Sequence, residues 1–132
     1  LRQSFFDRRP AFKSLKNRVG RASKRGHLKA LDGRKLFVRS EHAALNTLLQ
    51  GAGAIVMKQA MIILNNKIKE HKLDAHFVCN VHDEWQVEVR EDQAEELGKL
   101  GVDAIKEAGY ALSLFCDLDG EYKIGDNWSE TH

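Results

Sequence analysis

Between Glu41 and His71 apolar residues recur three and four positions apart, through Leu45, Leu48, Leu49, Ala52, Ile55, Val56, Ala60, Ile63 and Leu64. That period belongs to an α-helix, and at a 1.5 Å rise per residue such a run is about 45 Å long, enough to cross a small domain from end to end. Ser40 is placed to cap it and Glu41 to occupy its first turn. Gly51 and Gly53 fall inside it; a glycine costs up to about 1 kcal/mol in a helix interior, so two so close predict that something approaches the backbone there. The longest apolar stretch, Ala52 to Leu64, is interrupted by Lys58 and Gln59 and falls short of the roughly 20 residues a membrane span needs. No membrane is expected as a partner.

The flanking segments have their own periods. After Pro10, the spacing of Phe12, Leu15, Val19 and Ala22 predicts an amphipathic helix with a cationic outer face, ending near Gly26. Residues 27–39 contain the turn dipeptide Asp32-Gly33 between two short strands, a hairpin signal. Residues 75–81 read as a strand, His82 to Trp85 as a tight turn, and Gln86 to Val89 as an alternating strand; they are too short for a helix between turn signals. An acidic helix from Glu91 to Ala108, ended by Gly109, and a last strand from Leu112 to Ile124, irregular at Asp119-Gly120, complete the order. This gives an α+β fold: an antiparallel sheet with helices packed on one face, including one long central helix. With 132 residues, 42% of them hydrophobic and one Pro, a single domain is expected, spanning 1–40 (basic helix and hairpin), 41–71 (long helix) and 75–132 (hairpin, acidic helix and final strand). Cys79 and Cys116 stand apart in apolar surroundings and read as buried, reduced thiols of a cytoplasmic protein. Leu1 is not an initiator Met and no apolar leader follows it, so the chain reads as a piece of a longer reading frame.

A net charge of +2 conceals a strong asymmetry: residues 1–72 carry seventeen Lys/Arg against four Asp/Glu, and residues 73–132 carry four against fifteen. The positive half suits a polyanion, and nucleic acid is the polyanion that such a lopsided basic segment fits best. The acidic half suits metal cations or simply water.

Two constellations carry chemistry. At His82-Asp83-Glu84 a histidine and two adjacent carboxylates sit at a reverse turn, where they repel each other unless a cation lies near, an arrangement that suits a hard divalent ion such as Mg²⁺. An ordinary polar turn has the same composition. His42, Asn46 and Gln50 are four apart, so they share one face of the long helix with Gly53, and their donors and acceptors suit a minor groove. A solvated strip reads the same way.

Together with Leu31-Asp32-Gly33-Arg34-Lys35, with the run from His42 to Gly51, and with Asn127-Trp128 and the terminal His132, these residues resemble, in order and over nearly the whole chain, the last part of a family A DNA polymerase. The phage-type branch is most similar, because His42 stands where many bacterial members have Arg. The resemblance implies that Val81-His82-Asp83-Glu84 is the third polymerase motif, with Asp83 one of two metal-binding carboxylates of the palm, Glu84 an auxiliary carboxylate and His82 near the primer terminus. It implies that Asn46, Gln50 and His42 lie against the duplex, that Arg34, Lys35 and the basic helix face the template-primer backbone, and that two Mg²⁺ ions, primer-template DNA and a deoxynucleoside triphosphate are the cofactor and partners of the complete enzyme. The first motif, with the other Asp, and the second, with the nucleotide-holding Arg, Lys and Tyr, have no match in these 132 residues. The expectation is therefore the C-terminal palm portion of a DNA-directed DNA polymerase, inactive alone and completed by an upstream portion on the same or a separate chain. Two other readings use the same residues: a non-catalytic DNA-binding module or polymerase remnant, and a His-Asp metal phosphohydrolase, which would need further ligands on neighbouring helices.

Overall fold

The computed structural model describes residues 2–131. In order they form α1 (Arg2–Asp7), α2 (Pro10–Ser23), β1 (His27–Lys29), β2 (Lys35–Phe37), α3 (Glu41–Glu70), β3 (Ala75–Val81), β4 (Glu84–Val89), a 3-10 turn at Glu91–Gln93, α4 (Ala94–Ala111) and α5 (Trp128–Thr131). The fold is α+β, with two antiparallel strand pairs and one long helix between them in sequence. The residues gather into two compact units, Leu1–Gly53 and Ala54–His132. Each unit has its own apolar cluster, and α3 gives a different stretch of its length to each.

In the first unit Pro10 occupies the start of α2, where its missing N–H costs nothing. Val19 of α2, Leu28 of β1 and Ala44 of α3 are buried together, with Leu15, Ala22, Leu36, Val38, Leu45 and Leu48 around them. The hairpin pairs His27 with Phe37 and Lys29 with Lys35. It reverses through Gly33, whose φ of +85° is open to glycine at no steric cost. Leu36 then reaches α3, and a Cβ on Gly51 would lie 2.9 Å from its Cδ1. The approach expected at the two helix glycines is thus real at Gly51, whereas nothing comes within 4 Å at Gly53. The Ser40 hydroxyl caps α3 by accepting the Ala43 N–H at 3.3 Å.

In the second unit β3 and β4 pair from Ala75 and Val89 to Val81 and Glu84, with a bulge between Phe77 and Cys79. Ala75, Phe77, Trp85, Val87 and Val89 pack on Leu64 and Ile68 of α3 and on Leu97, Leu100 and Ala104 of α4. Two helices therefore cover one face of this hairpin, and Lys67–Glu107 and His71–Glu96, each at 2.8 Å, join them at the edge. By length and composition α3 could also span a bilayer, with a mean hydropathy of 1.4 in its most apolar stretch, which the reading of Ala52 to Leu64 as too short missed. Ala44, Ile55, Ala60, Leu64 and Ile68 of α3 are buried, while only 11% of its most apolar stretch is.

The last strand expected over Leu112 to Ile124 is absent. The segment instead runs antiparallel along α4 as a strap: Leu118 lies over Gly109, Gly120 against Ile105, and the Tyr122 ring over Gly98, where any Cβ would collide with it. Asp119 pairs with Lys106 at 3.4 Å, and the Tyr122 hydroxyl donates to Glu95 Oε2 at 2.8 Å. Asp117, Asp119, Gly120 and Glu121 break the β pattern, and among the described residues no further strand is there to pair with it. Two smaller corrections share this origin. Gly109 is buried within α4, which runs on to Ala111, and Cys116 is exposed on the strap while Cys79 is half-buried.

The hydrogen bond to Glu95, then desolvation and the Glu95 charge, push the Tyr122 phenol above its usual pKa of 10.0. A raised pKa means that the strap's stabilisation is complete below pH 10 and is lost as pH rises through the folded value. In a Tyr110→Phe background, tyrosinate absorbance should therefore show a midpoint above 10, falling toward 10 in Glu95→Ala. Gly98→Ala, despite its better helix propensity, should displace the ring and speed proteolysis within 112–127 while leaving helix content unchanged.

Candidate functional site

The β3–β4 hairpin turns in two residues. Val81 pairs with Glu84, leaving His82 and Asp83 as the loop. His82 has φ 51°, the left-handed backbone that short hairpin loops use at their first position, at a cost of about 1–2 kcal/mol for a non-glycine residue. The expected hairpin tip is present, but its carboxylates are in different situations. Asp83 stands exposed in the loop, while Glu84 begins β4 and is half-buried. Glu84 Oε1 accepts hydrogen bonds from Gln86 Nε2 and from Trp128 Nε1, the latter at 3.3 Å. The Thr131 hydroxyl lies 3.1 Å from Gln86 Oε1. Sequence reasoning missed Gln86 and Thr131, and it took Trp128 only as part of a motif. Contacts across some 45 positions leave no local spacing signal.

In the first unit His42, Asn46 and Gln50 are all exposed on α3, away from the buried Ala44. The stripe read from their spacing is a real surface strip. Arg34 and Lys35 are exposed at the start of β2. Arg34 is held by Asp32, which accepts its backbone N–H at 3.2 Å and its Nε–H. Desolvation alone would raise Asp32, but these Arg34 contacts outweigh it and hold the carboxyl below its ordinary pKa. Part of the Arg34 charge is thus answered locally. Lys16, Asn17, Gly20, Arg21, Lys24 and Glu41 line an open groove beside α2. His132 lies outside the described residues.

Among the described residues no group of three or more His, Cys, Asp or Glu is gathered to hold a metal ion. Asp83 offers a carboxylate to solvent, and Glu84 has one oxygen already engaged. That donor set fits one side of a Mg²⁺ site shared with phosphate oxygens, water and groups outside these residues, because Mg²⁺ keeps few protein carboxylates. It does not make a self-sufficient cage.

DNA polymerase family A matches residues 2–130. The chain belongs to this family. It is similar to the DNA-directed DNA polymerase of Escherichia phage Phieco32, with 37% identity over all of this chain and 23% of the relative. It is also similar to that of Enterobacteria phage T3, with 44% identity over 83% of this chain and 16% of the relative. DNA polymerase I of Pseudomonas aeruginosa is 32% identical over 97% of this chain and 15% of the relative. The phage identities exceed the bacterial one, in keeping with a phage-type member of family A. In structure the chain resembles the POL domain of Pol1 from M. smegmatis in complex with DNA primer-template and dNTP, with a TM-score of 0.69 and 29% identity over 79% of this chain and 21% of that one. The chain spans less than a quarter of the length of these relatives.

The strained loop position gives a test that needs no activity assay. His82→Gly should leave the melting temperature unchanged or raise it by a few degrees, and His82→Val should lower it, since a β-branched residue resists positive φ. Differential scanning calorimetry of the three chains checks this.

Proposed function

We propose that this chain is the C-terminal palm part of a DNA-directed DNA polymerase, acting in template-directed nucleotidyl transfer during DNA replication in the cytoplasm. The observation that carries the reading is the exposed carboxylate of Asp83 at the tip of a two-residue hairpin, in a family A chain, with Glu84 beside it. Asp83 and Glu84 would hold Mg²⁺ together with ligands from an upstream polymerase portion bearing the first and second motifs. When bound, two Mg²⁺ ions activate the primer 3′-hydroxyl and offset the charge of the leaving pyrophosphate. Asp83 would serve as a direct ligand, Glu84 as an auxiliary one, and His82 would hold the primer end beside them.

His42, Asn46 and Gln50 would read hydrogen-bond acceptors of the primer-template, since they are exposed in line on a rigid helix. Lys35, Arg34 and the cationic face of α2 would neutralise backbone phosphates, which gives affinity without sequence preference. The resemblance in structure to a polymerase domain in complex with primer-template and dNTP supports these partners. The second reading, a non-catalytic DNA-binding module or remnant, draws on the lack of a gathered metal cluster among the described residues. It keeps the phosphate contacts and drops the chemistry.

Primer extension separates the two. The 132-residue chain alone should extend no primer at any Mg²⁺ or Mn²⁺ concentration, because one exposed Asp and one engaged Glu cannot place two ions. Addition of the upstream motifs, fused or in trans, should restore extension, and Asp83→Ala should then lower it by about 10³-fold or more, with Glu84→Ala costing less. Retained extension in the restored Asp83→Ala enzyme would remove the mechanism.

DNA binding gives an independent check. The chain should bind primer-template weakly, with affinity falling steeply as salt rises. Charge reversal at Arg34 and Lys35 should weaken binding more than reversal at Lys99 and Lys106, as fluorescence anisotropy would read; equal effects would favour a merely solvated basic face.

A further inference from the structure

Two hydrogen bonds on Glu84 come from its own strand and from the end of the chain, and their polarity is forced. A carboxylate only accepts, so Gln86 must turn its Nε2 to Glu84 Oε1, which leaves Gln86 Oε1 as an acceptor facing the Thr131 hydroxyl at 3.1 Å. That hydroxyl has a second acceptor, the Trp128 carbonyl at 3.2 Å, and shares its single proton between the two. Trp128 adds its indole N–H, a group that can only donate, to the same Glu84 oxygen at 3.3 Å.

The element that supplies these donors is itself fixed. Glu130 accepts the Asp126 backbone N–H at 2.9 Å and the Asn127 side-chain N–H at 2.8 Å, closing the first turn of α5. Upstream, the strap is tied to α4 through Tyr122 and Asp119. We infer that α5 is a positioning element for the candidate site: Trp128 and, through Gln86, Thr131 fix the rotamer of Glu84. The inference rests on the reading of Glu84 as an auxiliary metal carboxylate. None of the three is assigned as a ligand of the metal or the nucleotide; they would act by restricting how the Glu84 carboxylate is turned. Without them Glu84 keeps its charge and loses its orientation, so metal affinity falls while nucleotide recognition stays.

The test uses the polymerase restored by adding the upstream portion to this chain, and it reads the Mg²⁺ concentration for half-maximal primer extension, the KM for dNTP and the melting temperature. Trp128→Phe keeps the ring and removes only the donor; it should raise the Mg²⁺ requirement about threefold to tenfold, the scale of one lost hydrogen bond, with KM unchanged. Thr131→Val should shift it in the same direction by less, and Thr131→Ser should restore the parent value. In a Glu84→Gln background, Trp128→Phe should add nothing. If Glu84→Gln shifts the Mg²⁺ requirement and Trp128→Phe does not, the positioning role of α5 is overturned while the reading of Glu84 stands. If Glu84→Gln itself causes no shift, that reading fails and the role assigned to α5 falls with it.

Discussion

A thirty-residue helix cannot bury its apolar side chains against itself, so neighbouring segments are arranged along the parts of α3 that are covered. Its first turns are covered by α2 and the β1–β2 hairpin, and its later turns by the β3–β4 hairpin and α4. The two coverings are separate clusters, and for that reason the chain divides into two units within a continuous helix. The demands are local and specific. Leu64 is only 2% exposed among Ile68, Leu97, Leu100 and Ala104, so its truncation to Ala would carry the cost of about 2–5 kcal/mol typical of a core leucine. The second cluster also holds the β3–β4 hairpin, so the candidate carboxylates are placed by the packing of helices beneath their strands.

Much of this was legible in the sequence because it depends on period and on turn chemistry. The α3 helix, the Ser40 cap, the Asp32-Gly33 reversal and the hairpin at His82 each rest on signals confined to a few neighbouring residues, and each is present in the structure, although Leu49 of the expected apolar stripe is exposed. The polar strip of His42, Asn46 and Gln50 was legible for the same reason: positions four apart on a helix share a face. The division into two units was not, since composition does not reveal whether apolar residues form one cluster or two. Nor was the strap: Leu112 to Cys116 favour a strand, but Asp117, Asp119, Gly120 and Glu121 interrupt the pattern, and no partner strand is there among the described residues. In its absence Leu118 and the Tyr122 ring lie on α4, where Gly98 leaves room for the ring, while Phe115 and Ile124 stay exposed.

The charge asymmetry follows the same division. Thirteen of the twenty-one Lys/Arg fall in residues 1–53, and sixteen of the nineteen Asp/Glu fall in residues 54–132. Within each unit some charges are spent on structure. Asp32 engages Arg34, Asp7 engages Lys13, Glu107 engages Lys67 and Glu96 engages His71. These are exposed or half-exposed pairs, worth at most about 1 kcal/mol each, so they cannot be what such a bias is for. A unit-wide excess of one sign costs self-repulsion and gains long-range attraction for an opposite charge. The exposed cations of the first unit make sense as a field for a polyanion more than as a set of ion pairs.

Adjacent carboxylates at a hairpin tip pose an electrostatic problem, and the two sit in different surroundings here. Asp83 lies in the two-residue loop and Glu84 begins β4. Asp83 is exposed to water, where a charge costs little, while Glu84 accepts hydrogen bonds from Gln86 and Trp128, whose donors offset partial burial. Two carboxylates that began as equivalent in the sequence therefore differ in kind: one is open and one is oriented. That difference explains why the hairpin can fold with both charges present, and it makes the oriented carboxylate depend on residues some 45 positions away, at the other end of the strap.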